Sequence, residues 1–216
     1  MPRLSKKHFW EWFKRHCDEY RLDQGKTKKE TDYLLNELTA HLRAYARCLN
    51  YCLTTYPQTG KSELVITVYG RTRYFKTVTD FVAKAPFIPG WSIIALEPPR
   101  PIDYLQEKRI AQIGVEPNEL YFGFKHANLY AKHLIIYHPL CTDDNRHHFE
   151  ALARFSILNI LGEYTDATED FSLTATNTSL KGKNILYPLM QLPTLIAIRN
   201  LSQIKIDDKG NLTGMS

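Results

Sequence analysis

Between residues 64 and 96 the hydrophobic period changes twice, and this change constrains the fold more than any other feature. Leu64, Val65, Ile66 and Val68 form a nearly continuous apolar run; Trp91, Ile93, Ile94, Ala95 and Leu96 form a second. Short, dense runs of this kind read as strands covered on both faces, because a half-exposed strand would alternate. Between them Tyr74, Phe75, Val78, Phe81 and Val82 recur at helical spacing as far as Ala85-Pro86. A proline disfavours helical geometry in the residue before it, so the helix stops there. A strand, a helix and a strand in this order close through a right-handed crossover.

The flanking segments add further elements. Ser5 is placed to cap a first helix, whose stripe is Trp10, Phe13, Cys17 and Tyr20, flanked by Phe9 and Trp12. The polar stretch 21–30 reads as a loop. A second helix is expected from near Thr31, with Leu34, Leu35, Leu38, Leu42, Tyr45, Leu49, Cys52 and Tyr56 at helical spacing and Pro57 and Gly60 as its stop. A short helix is expected around 103–112. LYFGFK (120–125) and LYAKHLIIYH (129–138) flank His126-Ala127-Asn128 as a hairpin. A helix is expected from Thr142-Asp143-Asp144 to Leu161, with Gly162 as C-cap, followed by a strand at 171–177. A helix over 185–200 and a small hairpin over 203–213 complete the chain. This order fits an α+β fold: a ferredoxin-like mixed sheet with helices packed on one face, plus an N-terminal helical hairpin. It is read as a single domain, 1–216, with the hairpin at 1–58, the sandwich core at 62–180 and a C-terminal extension at 181–216.

Length and composition allow such a core. The chain has 216 residues, 44% hydrophobic and 24% charged. A chain of this size buries about 70% of its unfolded surface without needing staples. The net charge of +5 is uneven: +4 over 1–60, +3 over 61–110, −5 over 111–170 and +3 over 171–216. A basic N-terminal half favours an anionic partner, although a solvated face accounts for it as well. The four cysteines form no C-x-x-C pair, the N-terminal residues lack the apolar run of a signal peptide, and no stretch reaches about 18 apolar residues. A cytoplasmic protein with reduced thiols and no membrane contact is expected.

Residues capable of chemistry concentrate in one place. Residues 133–148 hold His133, His138, Cys141, Asp143, Asp144, His147 and His148, all of metal-ligand type. Their spacing argues against one site: His133 and His138, five apart, face opposite sides of a strand, and His147 and His148 point about 100° apart on a helix. Asp143 and Asp144 suit a helix N-terminus. Cys48 and Cys52, read as i, i+4 on a helix with His41 and Cys17 nearby, are small core residues or zinc ligands. Cys141 beside a histidine is the candidate nucleophile. Glu163, after Leu161-Gly162, is the isolated acid beside an apolar stretch. TGKS (59–62) lacks the upstream glycine of a phosphate loop and does not open a helix. Tyr121, Phe122, Phe124, Tyr130 and Tyr137 on the central hairpin could stack on RNA bases or form a core face. No catalytic residue is assigned, and no cofactor or metal is expected.

FWEWF (9–13), ELVITVYG (63–70), the Ala85-Pro86 pair followed by WSIIAL (91–96), and ILNILGEY (157–164) resemble segments of a bacterial protein family of unknown function. The family is of Bacteroidetes type and is similar to domains related to the ferredoxin-like ribonuclease E inhibitor type B proteins. The resemblance implies the fold, a bacterial cytoplasmic setting and a binding role, since those inhibitors act by binding a protein. The leading expectation is therefore a non-enzymatic protein-interaction or regulatory module with an unknown protein partner. The alternatives are nucleic-acid binding and an enzyme using the 133–148 cluster. A functional aromatic surface is sought first at Phe9 and Trp12.

Overall fold

The structure, a computed structural model, describes residues 6–21, 25–56, 59–100, 114–178, 185–202, 205–206 and 212–213. The fold is mixed α+β, and its contacts group into two units, residues 1–98 and 99–216.

In the first unit, α1 (Lys6–His16) continues into a 3₁₀ turn, Cys17–Tyr20. Trp10, Phe13, Cys17 and Tyr20 of its stripe are buried, and so is the flanking Phe9; Ser5 lies outside the described residues. Helix α2 (Lys28–Tyr45) starts earlier than the spacing predicted. Its first turn is closed by a capping box, in which Thr27 Oγ1 accepts from the Glu30 N–H and Glu30 Oε2 accepts from the Thr27 N–H. The polar residues read as loop are thus the cap, which satisfies otherwise orphaned amides.

Helix α2 also ends earlier, at Tyr45. Residues 50–56, predicted as its last turns, form strand β1 (Asn50–Tyr56), antiparallel to β2 (Lys61–Thr67) with Asn50 opposite Thr67 and Tyr56 opposite Lys61. The N-terminal segment is therefore two helices and a strand. Leu49, Cys52 and Tyr56 fit a helical period, but Tyr51, Leu53 and Thr55 fit a period of two equally well. The long-range ladder with β2 decides between them. Gly60 closes the hairpin at φ 61°, its N–H donating to Tyr56 O at 2.9 Å. β2 pairs in parallel with β3 (Trp91–Ala95), and α3 (Phe75–Val82) lies between them in sequence, as the period change requires. The sheet order is β1-β2-β3. β2 is buried from Ser62 to Thr67.

The second unit holds β4 (Tyr121–Phe124), β5 (His133–Tyr137), α4 (Arg146–Glu169), β6 (Ser172–Thr176), β7 (Tyr187–Pro188) and α5 (Leu192–Ser202). Short strands β8 (Lys205–Ile206) and β9 (Leu212–Thr213) pair with each other. The four-stranded sheet runs β6-β5-β4-β7, with β5 and β6 parallel and joined through α4. Phe122, Phe124, Leu134, Ile136, Phe149, Leu152, Ile157 and Phe171 lie in its core. The single mixed sheet expected from the sequence is thus two sheets. β1, hidden by the helical reading, completes the first within residues 1–98.

Gly162 ends the helical stretch that begins at Arg146, as the sequence predicts, and a second stretch follows directly. The glycine interrupts α4 at φ 74° and ψ 162°, and the helix resumes to Glu169. A positive φ is accessible to glycine without steric cost, which explains both the break and the residue at it. The helix expected around 103–112 lies outside the described residues.

Candidate functional site

The register of β2 fixes where the backbone groups of β1 point. The Ser62 N–H donates to Gly90 O at 2.9 Å, and Ile66 O accepts from the Leu96 N–H at 2.8 Å. Ser62, Leu64 and Ile66 therefore face β3, and the alternate residues Glu63, Val65 and Thr67 face β1. Their partners Thr54, Cys52 and Asn50 complete that ladder. Tyr51 and Leu53 consequently aim their N–H and C=O groups away from β2. Among the described residues no strand lies along that outer edge.

The side chains of Tyr51 and Leu53 line a groove of about 390 Å³ between β1 and α2, with Leu35, Thr39, Leu42 and Arg43 on the helix side and Leu49 at its base. These helix positions recur on one face of α2, so the apolar stripe that buries Leu38 and Leu42 also builds the groove wall. The Tyr51 hydroxyl donates to Leu35 O at 2.7 Å, and burial pushes its pKa up, so the floor is neutral.

Tyr69 forms the rim. It is 67% exposed and held at φ 53°, followed by Gly70 at φ 73°. Its N–H donates to Thr67 Oγ1 at 3.0 Å.

Three arginines stand near the start of β1: Arg43 in the groove lining, Arg47 in the connection to β1, and Arg71 on the Cys48 carbonyl. Arg43 and Arg47 are exposed, and neither has an ion-pair partner among the described residues. Arg71 spends its donors on carbonyls, Cys48 O at 2.7 Å and Val68 O at 2.8 Å, so its charge is not neutralised. Residues 1–98 carry 16 Lys/Arg against 10 Asp/Glu, whereas 99–216 carry 12 against 13. The basic character of the chain thus lies in the unit that holds the groove.

The residues singled out in the sequence are dispersed. His133, partly exposed, shares a 2.8 Å hydrogen bond between its Nδ1 and Ser172 Oγ, while His138 is buried beyond the strand end on the opposite face. His138 stacks on Phe149, its Nδ1 accepts from the Leu140 N–H at 3.2 Å, and burial lowers its pKa. Cys141 is 2% exposed, and burial raises its thiol pKa, the reverse of nucleophile activation. Asp143 pairs with Arg146, Asp144 is exposed, and the His147 and His148 rings lie 3.9 Å apart. No group of three His, Cys, Asp or Glu among the described residues comes together to hold a metal. Glu163 is 1% exposed, directly after the break at Gly162, and is not a free carboxylate.

The N-terminal candidates also move. Phe9 is 1% exposed and packs 5.0 Å from the Phe81 ring, so it is core rather than surface. Trp12 stacks on His41 at 3.7 Å. Cys48 lies in the α2–β1 connection and Cys52 on β1, so they do not share a helical face. On the central hairpin Phe122 and Phe124 are buried, and Tyr121 stands opposite Tyr137 on the other face. Tyr130 is exposed, its hydroxyl 3.0 Å from Ser202 Oγ.

No protein-family model, no curated protein and no solved structure matches this chain. The reading of function rests on its own residues. Among the described residues no helix is long and apolar enough to cross a membrane.

Burial ranks the thiols. Cys17 and Cys141 are buried and their pKa values are raised by desolvation, while Cys48 and Cys52 are partly exposed. Brief treatment of the native protein with iodoacetamide should label Cys48 and Cys52 first. Peptide mapping by mass spectrometry reads the order.

Proposed function

We propose that the protein is a non-enzymatic protein-interaction module that takes an extended segment of a partner onto the outer edge of β1. The observation that carries this is the coincidence, at Tyr51 and Leu53, of outward-facing backbone groups with side chains lining a groove. In strand addition the main-chain bonds supply affinity and the pocket selects alternate side chains. The β1 edge offers both.

Two other observations favour binding over chemistry. The reactive side chains of residues 133–148 are spread over opposite faces or taken up in packing. Tyr121 and Tyr137, the pair best placed to stack on a base, sit on a unit with slightly more acids than bases, which is poor ground for a phosphate backbone.

Panning a random dodecapeptide library on the whole protein should enrich sequences with apolar residues at alternate positions. Hydrogen exchange of the bound complex should then show the Tyr51 and Leu53 amides slowed. A bound peptide that leaves both amides unprotected overturns the reading. Leu53→Pro gives a second readout, because proline removes an outward N–H and spares the ladder to β2. It should weaken the enriched peptides by about tenfold, the worth of one hydrogen bond, with the thermal melt retained.

A further inference from the structure

We infer that the partner segment is acidic, with its carboxylates at the end that lies beside Asn50. This rests on the edge-strand reading above and adds the chemistry of the occupant. Apart from Arg43 the groove lining is uncharged and mostly apolar, so the rest of it selects for shape and hydrophobicity rather than for charge. The charge stands at one end. Arg43 lines the groove wall, Arg47 follows α2, and Arg71 is tied to Cys48 O, two residues before β1 begins.

None of the three is matched by a carboxylate among the described residues. Guanidinium groups left in this state form a fixed fork of donors suited to a carboxylate. The two carbonyl contacts of Arg71 hold it in place without cancelling its charge, so less freedom is lost when an anion arrives. The Tyr56 end of β1 differs: Arg21, which donates to Gly60 O there, is already matched by the Asp18 carboxylate at 3.2 Å, and Lys61 stands opposite Tyr56.

Seven residues of β1 match a partner strand of about 23 Å. Such a strand brings its side chains to the groove at every second position and its terminal residues to the arginines. Like charges at that end would be repelled, which excludes basic segments.

The test uses three fluorescent peptides with a common centre of alternating Thr and Val, flanked at both ends by Glu-Glu, Gln-Gln or Lys-Lys. Flanking both ends makes the result independent of strand direction. On the whole protein at low salt, the Glu-flanked peptide should bind about tenfold tighter than the Gln-flanked one, and the Lys-flanked one weakest. Raising the salt to about 0.5 M should remove most of the difference. In the double variant Arg43→Glu/Arg47→Glu, changed only at exposed positions, the order should invert.

If all three peptides bind alike and all are weakened about tenfold in Leu53→Pro, the acidic partner is overturned and the edge-strand reading stands. If none binds, or if Leu53→Pro leaves binding intact, the edge-strand reading itself falls. An oligouridylate bound through Arg43 and Arg47 in preference to every peptide overturns both, in favour of a nucleic-acid surface.

Discussion

Replacing Trp10 with alanine should destabilise the protein by about 3–5 kcal/mol, the range for emptying a large aromatic from a packed core. Trp10 is buried against Phe9, Phe13 and Phe81, with ring centroids 4.8 to 6.2 Å apart. Its Nε1–H also donates to Phe81 O at 2.9 Å, near the end of α3, where the same carbonyl accepts from the Lys84 N–H at 3.2 Å. Trp10→Phe separates the two contributions. It keeps a ring and loses one donor, while Phe81 O keeps its bond from the Lys84 N–H, so it should cost about 0.5–1.5 kcal/mol, the net worth of one hydrogen bond. All three tryptophans, Trp10, Trp12 and Trp91, lie in residues 1–98. Tryptophan fluorescence during urea unfolding therefore reports this unit, and Trp12 and Trp91 still report it in the variants. A Trp10→Ala midpoint equal to wild type would show that α1 is not part of the core.

Arg199→Ala should be comparably damaging in the second unit. Glu169 near the end of α4 and Arg199 on α5 are both buried, and the Glu169 carboxylate accepts from Arg199 Nη2 and from Lys132 Nζ. Removing the guanidinium leaves a buried carboxylate facing only a half-exposed lysine, at a cost of about 3–5 kcal/mol. The double replacement Glu169→Leu/Arg199→Met removes both charges and should come within about 1–2 kcal/mol of wild type, since an apolar pair of similar volume often substitutes for a buried ion pair. Hydrogen exchange of the α4 and α5 amides reads both variants.

The pH dependence has a definite sign. Burial pulls the Glu169 pKa up, but the hydrogen bonds from Arg199 and Lys132 outweigh it and hold the carboxyl below its ordinary value. A carboxyl lowered in the folded state stabilises above its unfolded pKa, about 4.3. That stability is lost as the pH falls through the lower, folded value. Acid unfolding should accordingly begin less steeply in the Leu/Met double variant.

What the sequence revealed and what it hid follow from the range of the forces involved. The runs at 64–68 and 91–96 are legible because their burial on both faces is written into consecutive residues, and α3 between them because five apolar residues share one stripe. Residues 50–56 were ambiguous because a period of 3.6 and a period of 2 both select apolar positions there. Only the pairing with residues 61–67 resolves them, and pairing is not a local property. Tyr51, Thr54, Thr55 and Tyr56 did carry a strand signal in their aromatic and β-branched side chains. The groove was illegible for the same reason, since it exists only once α2 stops at Tyr45 and β1 lies beside it. The 133–148 cluster shows the opposite case: chemical types dense in sequence are separated by the alternation of a strand and the turn that follows it.

If the groove holds the proposed partner, its rim sets the pace of exchange. Tyr69 is a bulky residue held in the left-handed region, a conformation that costs about 1–3 kcal/mol and persists only where its surroundings impose it. Its backbone is fixed before any partner arrives, so little of this edge needs ordering on contact. Capture of the proposed partner would then proceed as rigid docking, at about 10⁵–10⁷ M⁻¹s⁻¹, and a partner held at micromolar strength would leave within roughly 0.1–10 seconds. On the proposed reading, such a module would exchange its partners quickly.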